Sequence, residues 1–88
     1  MDEETVFFTP SLRLENGLYI NEDECKEHRF IINNKNIRNT HKLKELCYRL
    51  IKDYLIVSLD TKMISKHYRV SNGIKSKLYN VIFTVSSK

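Results

Sequence analysis

Two pairs of side chains carry metal-ligand chemistry at suggestive spacing, Cys25-x2-His28 and His41-x5-Cys47. Thiolate sulfur and imidazole nitrogen are donors that zinc prefers, and the gaps loosely follow a zinc finger. A plainer reading competes. Cys47 falls on the apolar stripe of a predicted helix, where a free cysteine acts as a small hydrophobe, and His28 abuts a predicted strand. The plainer reading is preferred, so neither a metal nor a cofactor is expected. Both cysteines read as the free thiols of a reducing compartment.

Catalytic patterns are missing. The three acids beyond residue 27 are Glu45, Asp53 and Asp60. They are isolated in sequence, so no carboxylate pair offers itself for acid–base work. Two glycines are too few for a phosphate-cradling loop, and neither His-Glu-x-x-His nor a nucleophile elbow occurs. The chain reads as a binding protein and not as an enzyme.

Charge is the stronger signal. Residues 1–27 hold eight acids against two bases, whereas residues 28–88 hold thirteen bases against three acids. The chain therefore divides into an acidic leader, 1–27, and a basic domain, 28–88, with no room for a second folded domain. The bases fall in groups: Arg29, Lys35 and Arg38; Lys42, Lys44, Arg49 and Lys52, with His41, on the polar side of the predicted helix; Lys62, Lys66 and Arg69; Lys75 and Lys77. Ordinary solvated surfaces mix both signs. A one-sided field is the footprint of a polyanion binder. A membrane is not an expected partner, because no apolar run approaches the roughly 18 residues that a span needs. The acidic start, Met1-Asp2-Glu3-Glu4, is unlike a secretory or transit leader.

The elements that must position these bases follow from periodicity. Leu43, Leu46, Cys47, Leu50, Ile51 and Tyr54 recur at helical spacing and predict one continuous helix over 40–54. Asn39 or Thr40 caps it, and Glu45 and Arg49 form an i,i+4 ion pair on its surface. Strands are predicted over 28–33, 55–59, 66–70 and 78–85, the last with Tyr79, Val81, Phe83 and Val85 on one face. Asp60 begins a turn and Ser71-Asn72-Gly73 marks another. Asn16-Gly17 predicts a small hairpin between Leu12-Arg13-Leu14 and Leu18-Tyr19-Ile20. Residues 21–27 read as a solvated connector, and residues 33–36 as a loop. The expected architecture is α+β: one long amphipathic helix packed on a small mixed β-sheet, in two layers.

The residues from Val57 to Lys88 also carry a family likeness. Val57-Ser58-Leu59-Asp60-Thr61-Lys62-Met63, then Tyr68, Gly73-Ile74-Lys75, Tyr79 and the final alternating strand resemble, in that order, the large-subunit ribosomal protein thirty-one family of eukaryotic and archaeal type. Phe30-Ile31-Ile32-Asn33 resembles that family's first strand, and Leu43-Lys44-Glu45-Leu46 the start of its long helix. The likeness spans residues 28–88 with gaps. It implies a structural constituent of the large ribosomal subunit that binds rRNA near the polypeptide exit site. Neighbouring ribosomal proteins and nascent-chain factors are then its partners, and the cytoplasmic ribosome its location. By the same likeness, the bases from Lys62 to Arg69 and from Lys75 to Lys77 face rRNA, through phosphate contacts more than base contacts. The alternative is a non-ribosomal adaptor that binds protein or nucleic acid, its acidic leader masking the basic body.

The chain departs from the family in its acidic leader and in ending at Lys88, before a further β segment of the family. The final strand therefore lacks a partner. Val6-Phe7-Phe8-Thr9-Pro10, an apolar run in the acidic leader, is the candidate to supply it.

Overall fold

Along residues 5–14, Val6, Phe8, Pro10, Leu12 and Leu14 alternate with Phe7, Thr9, Ser11 and Arg13. This period of two builds β1 (Thr5–Leu14). In the computed structural model, which describes residues 5–68 and 75–88, β1 pairs in parallel with β5 (Lys75–Ser87), from Thr5 opposite Ser76 to Leu14 opposite Val85. The final strand thus takes its partner from the N-terminal segment. Residues 5–27, expected as a leader outside the domain, supply β1, β2 (Tyr19–Ile20) and α1 (Glu22–Glu27) to the fold.

Four strands run in the order β2, β1, β5, β4 (Tyr54–Tyr68), and β3 (Phe30–Asn33) pairs with the other end of β1. Leu14 N–H donates to Leu18 C=O at 2.8 Å across the tight turn, where Gly17 holds φ at +92°, a conformation that suits glycine. The same bond shows that the even-numbered residues of β1 aim their N–H groups outward. Pro10 is one of them. Neither β2 nor β3 pairs with residues 9–11, so the N–H that proline lacks has no ladder partner to lose.

Side chains on one face of the sheet form the core. Val6, Phe8, Leu12, Ile32, Val81, Phe83 and Val85 pack there against Cys25, Ile37, Leu43, Cys47, Leu50 and Ile51 from the helical layer. Phe8 and Phe30 stack with ring centres 5.3 Å apart. Among the described residues no helix covers the opposite face. There Ser11 Oγ donates to Asn80 Oδ1 at 2.9 Å, and Arg13 donates to Thr84 Oγ1 at 3.1 Å while lying 3.6 Å from Asp60.

The long helix expected over 40–54 does not form. Its apolar stripe is real, but the backbone departs from helical geometry at Cys47 (φ −97°, ψ 9°), splitting it into α2 (Thr40–Leu46) and the single turn α3 (Tyr48–Ile51). Tyr54 already begins β4. The fold is accordingly strand-rich, with short helices on a five-stranded mixed sheet. The expected Glu45–Arg49 pair would straddle the break, and these side chains form no ion pair.

Other expectations shift with it. Within the expected connector 21–27, Glu22–Glu27 fold as α1 because Cys25 buries one face of that acidic turn against the sheet. Residues 34–36 form a 3-10 turn. The strand expected over 55–59 and residues 66–68 of the one expected over 66–70 belong to the single strand β4, and Asp60 lies within it opposite Ile82. Residues 69–74, with the predicted Ser71-Asn72-Gly73 turn, lie outside the described residues.

Leu43 is fully buried where α2 meets the sheet. Leu43→Ala should therefore cost about 2–5 kcal/mol, whereas Tyr48→Ala, at a 64 % exposed position, should stay within about 0.5 kcal/mol of wild type. Equilibrium urea unfolding of the two variants checks this.

Candidate nucleic-acid interface

Two asparagines set the basic surface. Asn33 Oδ1 accepts the Lys35 N–H at 2.8 Å and starts the 3-10 turn. Asn39 Oδ1 accepts the Lys42 N–H at 3.1 Å and caps α2. With Leu43 turned into the core, Lys42 and Lys44 lie exposed on either side of it. With Leu50 and Ile51 buried, α3 leaves Tyr48 and Arg49 exposed.

The outer surface of residues 35–53 therefore presents Lys35, Arg38, Lys42, Lys44, Arg49 and Lys52, all exposed, against the acids Glu45 and Asp53. Tyr48 stands among them, 64 % exposed. Cations that meet phosphates beside an aromatic ring that can stack on a base are the usual parts of a nucleic-acid surface. α1 is the opposite. It exposes Glu22, Asp23, Glu24 and Glu27 against one base, Lys26, which pairs with Glu22 at 3.2 Å. The helical layer is thus electrically divided between the α1 segment and the α2–α3 segment.

Among the described residues, the bases that the sequence groups outside the predicted helix do not form one patch. Lys35 and Arg38 belong to the helical-layer surface, and Arg29 is exposed at the entry to β3. Lys62 is exposed on β4 opposite Asn80, on the sheet face away from the helices. Lys66 stands opposite Lys77 near the other end of the β4–β5 ladder; Lys77 is half-buried and already engaged. Lys75 opens β5 opposite Tyr68, and Arg69 lies outside the described residues. Lys42, Lys44, Arg49 and Lys52 were grouped from sequence apart from these, and Tyr48 was not singled out. Their sequence signal is only the polar side of a helical period, which most surface helices share. Tyr48 gives no signal of its own until the fold shows it exposed.

The zinc spacing is not assembled. Cys25 and Cys47 are both buried and free, and among the described residues no three His, Cys, Asp or Glu side chains converge as a metal-holding group. His28 instead lies against the Phe30 ring, with centres 6.1 Å apart. Burial pushes the Cys47 thiol up to about 12, with Cys25 a lesser cause. Burial also raises Cys25, partly opposed by a backbone hydrogen bond from Leu12. Both thiols stay protonated near neutrality, which makes them poor ligands and poor nucleophiles.

No helix among the described residues is long and apolar enough to cross a membrane. Comparison with family models, curated proteins and solved structures gives no match.

The buried thiols predict an alkaline limit. A thiol whose folded pKa is raised binds its proton more tightly in the native state. Its stabilising contribution is complete below the ordinary value of 9.0 and is lost as pH rises from there towards about 12. Denaturation of wild type should show stability falling across that window, and Cys47→Ala should show a shallower fall.

Proposed function

We propose that this protein is a non-catalytic RNA-binding protein, a structural constituent of the large ribosomal subunit near the polypeptide exit. The helical-layer surface from Lys35 to Lys52 holds the RNA phosphates. The observation that carries this reading is the segregation of charge: six exposed bases and two acids on one segment, with an exposed tyrosine among them, while the acids of α1 lie elsewhere. A surface that served only solubility would mix the signs. The ordered likeness of Asp60-Thr61-Lys62, Gly73-Ile74-Lys75 and Tyr79 to the ribosomal family names the assembly.

Phosphate contacts dominate in this reading. Lysine and arginine at these positions displace counterions, so each neutralised phosphate steepens the fall of log affinity with log salt by about 0.7–0.9. Tyr48 adds stacking, which tolerates any base.

Two measurements test the proposal. Fluorescence anisotropy with a large-subunit rRNA fragment should show salt-steep binding, weakened at least about tenfold by combining Lys42→Glu, Lys44→Glu and Arg49→Glu. Reversing Glu22 and Glu24 to lysine should not weaken it. Sucrose-gradient sedimentation should show the protein moving with large subunits at moderate salt. Unchanged affinity in the triple variant contradicts the interface, and protein at the top of the gradient contradicts the ribosomal assignment in favour of the adaptor.

A further inference from the structure

β4 is an unusual edge. It runs for 15 residues, and on its outer side no described strand pairs with it. Four large apolar side chains, Leu55, Val57, Met63 and Ile64, are exposed along it. The ladder with β5 slips between Ile56 and Ser58 and again between Met63 and Ser65. The longest stretch of regular register, residues 58–63, lies between these two bulges. The helical layer does not seal it, because a depression of about 330 Å³ lined by Arg38, Thr40, Leu59, Asp60 and Thr61 lies open there. A long apolar edge with open backbone groups is a ready template for another strand.

The chemistry of the window names the strand. Reading outward from Thr61, the neighbours are Asp60 on one side and Lys62 on the other, then Leu59 and Met63. Opposite charge balances opposite charge, and apolar balances apolar. Laid antiparallel on a second copy with Thr61 opposite Thr61, this segment places Asp60 opposite Lys62 of the second copy, twice by symmetry. It also places Leu59 opposite Met63 of the second copy, again twice. The faces agree. Asp60 and Lys62 register with Ile82 and Asn80 on the open face, and Leu59 and Met63 register with Phe83 and Tyr79 on the core face. Cross-strand pairs of these kinds are what stabilises a sheet, and like charges in the same places oppose pairing. An interface that repeats one patch about a two-fold axis must be self-complementary in this way.

We infer that the protein forms a two-fold dimer through β4, with residues 59–63 of two copies paired antiparallel about Thr61, joining the sheets edge to edge. Asp60 keeps its contact with Arg13 on the open face, at 3.6 Å, and gains Lys62 of the second copy on its free side. Both helical layers then lie on the same side of the joined sheet, because antiparallel pairing does not turn a sheet over. The inference does not depend on RNA binding, since its residues are on the sheet edge and not on α2 or α3.

Sedimentation equilibrium of the full chain, without RNA, tests it across a wide range of protein concentration. Wild type should move reversibly between monomer and dimer. Lys62→Asp sets Asp60 against a second carboxylate at both symmetric positions and should raise the dimer Kd at least about tenfold. Adding Asp60→Lys to that variant exchanges the two charges and should restore the dimer. Thr61→Cys should form an intermolecular disulfide under mild oxidation, because directly paired positions come within reach of a disulfide. Ser58→Cys should not, since the two copies of residue 58 then lie about 20 Å apart. Circular dichroism confirms that each variant is folded. Wild type that stays monomeric overturns the inference, as does Lys62→Asp associating as tightly as wild type. Failure of the charge exchange to restore association, or cross-linking at Ser58 in place of Thr61, overturns the register.

Discussion

The parallel pairing of β1 with β5 is the constraint on which the other parts of the structure depend. It joins Thr5–Leu14 to residues near the far end of the sequence over ten register positions. Parallel strands cannot be closed by a tight turn, so every intervening element is a crossover or an addition to an edge. β2 and β3 occupy the outer side of β1, β4 occupies the far side of β5, and the helices lie on one face. Most of the fully buried side chains come from the same two strands, Val6, Phe8 and Leu12 from β1 and Val81, Phe83 and Val85 from β5, with Leu43 of α2 closing over them. Pairing and core formation are therefore a single event. A small domain buries only about 60 % of its unfolded surface, and this one concentrates its apolar burial along that ladder.

Charge polarity follows from the same arrangement. The β1–β2 hairpin delivers the chain directly into α1, which packs on β1 through Cys25 and carries four acids. The chain then pairs β3 with β1 and crosses the core face through residues 34–53. That crossing must bury Ile37, Leu43, Cys47, Leu50 and Ile51, and six of its remaining fifteen positions are lysine or arginine, all of them exposed. The acids and bases separate because different segments of chain do different packing work. Their distance apart along the sequence becomes a distance apart on the surface.

Much of this was legible in the sequence, and the failures have physical causes. The alternation of Tyr79, Val81, Phe83 and Val85 identified the core face of β5, the cap of α2 is Asn39, one of the two candidates, and Asn16-Gly17 identified the first turn. Of the stripe Leu43, Leu46, Cys47, Leu50, Ile51 and Tyr54, four residues are buried and Leu46 and Tyr54 half-buried, but periodicity does not register a break in the backbone that leaves the stripe facing the same way. Cys47 supplies that break. β4 was misread as two strands because its bulges shift the period twice. Its core-facing residues, Ile56, Leu59, Thr61, Met63 and Lys66, are spaced by three at each bulge and by two between them. The single strand β1 was read as two pieces, Val6–Pro10 and Leu12–Leu14, since a proline ends the first; the N–H side of Pro10 faces outward at the one stretch of β1 that needs no donor. The scattered bases gave the charge of the site but not its surface, because which lysines lie together is decided by the crossover.

The proposed RNA contact lies on the basic crossover, residues 35–52, and not on the acidic α1. Titrating isotopically labelled protein with an rRNA fragment, and following backbone amide shifts by NMR, tests it residue by residue. The account predicts that the largest changes fall on the segment from Lys35 to Lys52, Tyr48 included, while the amides of α1 stay in place. Changes centred on α1, or no saturable change anywhere, would contradict it.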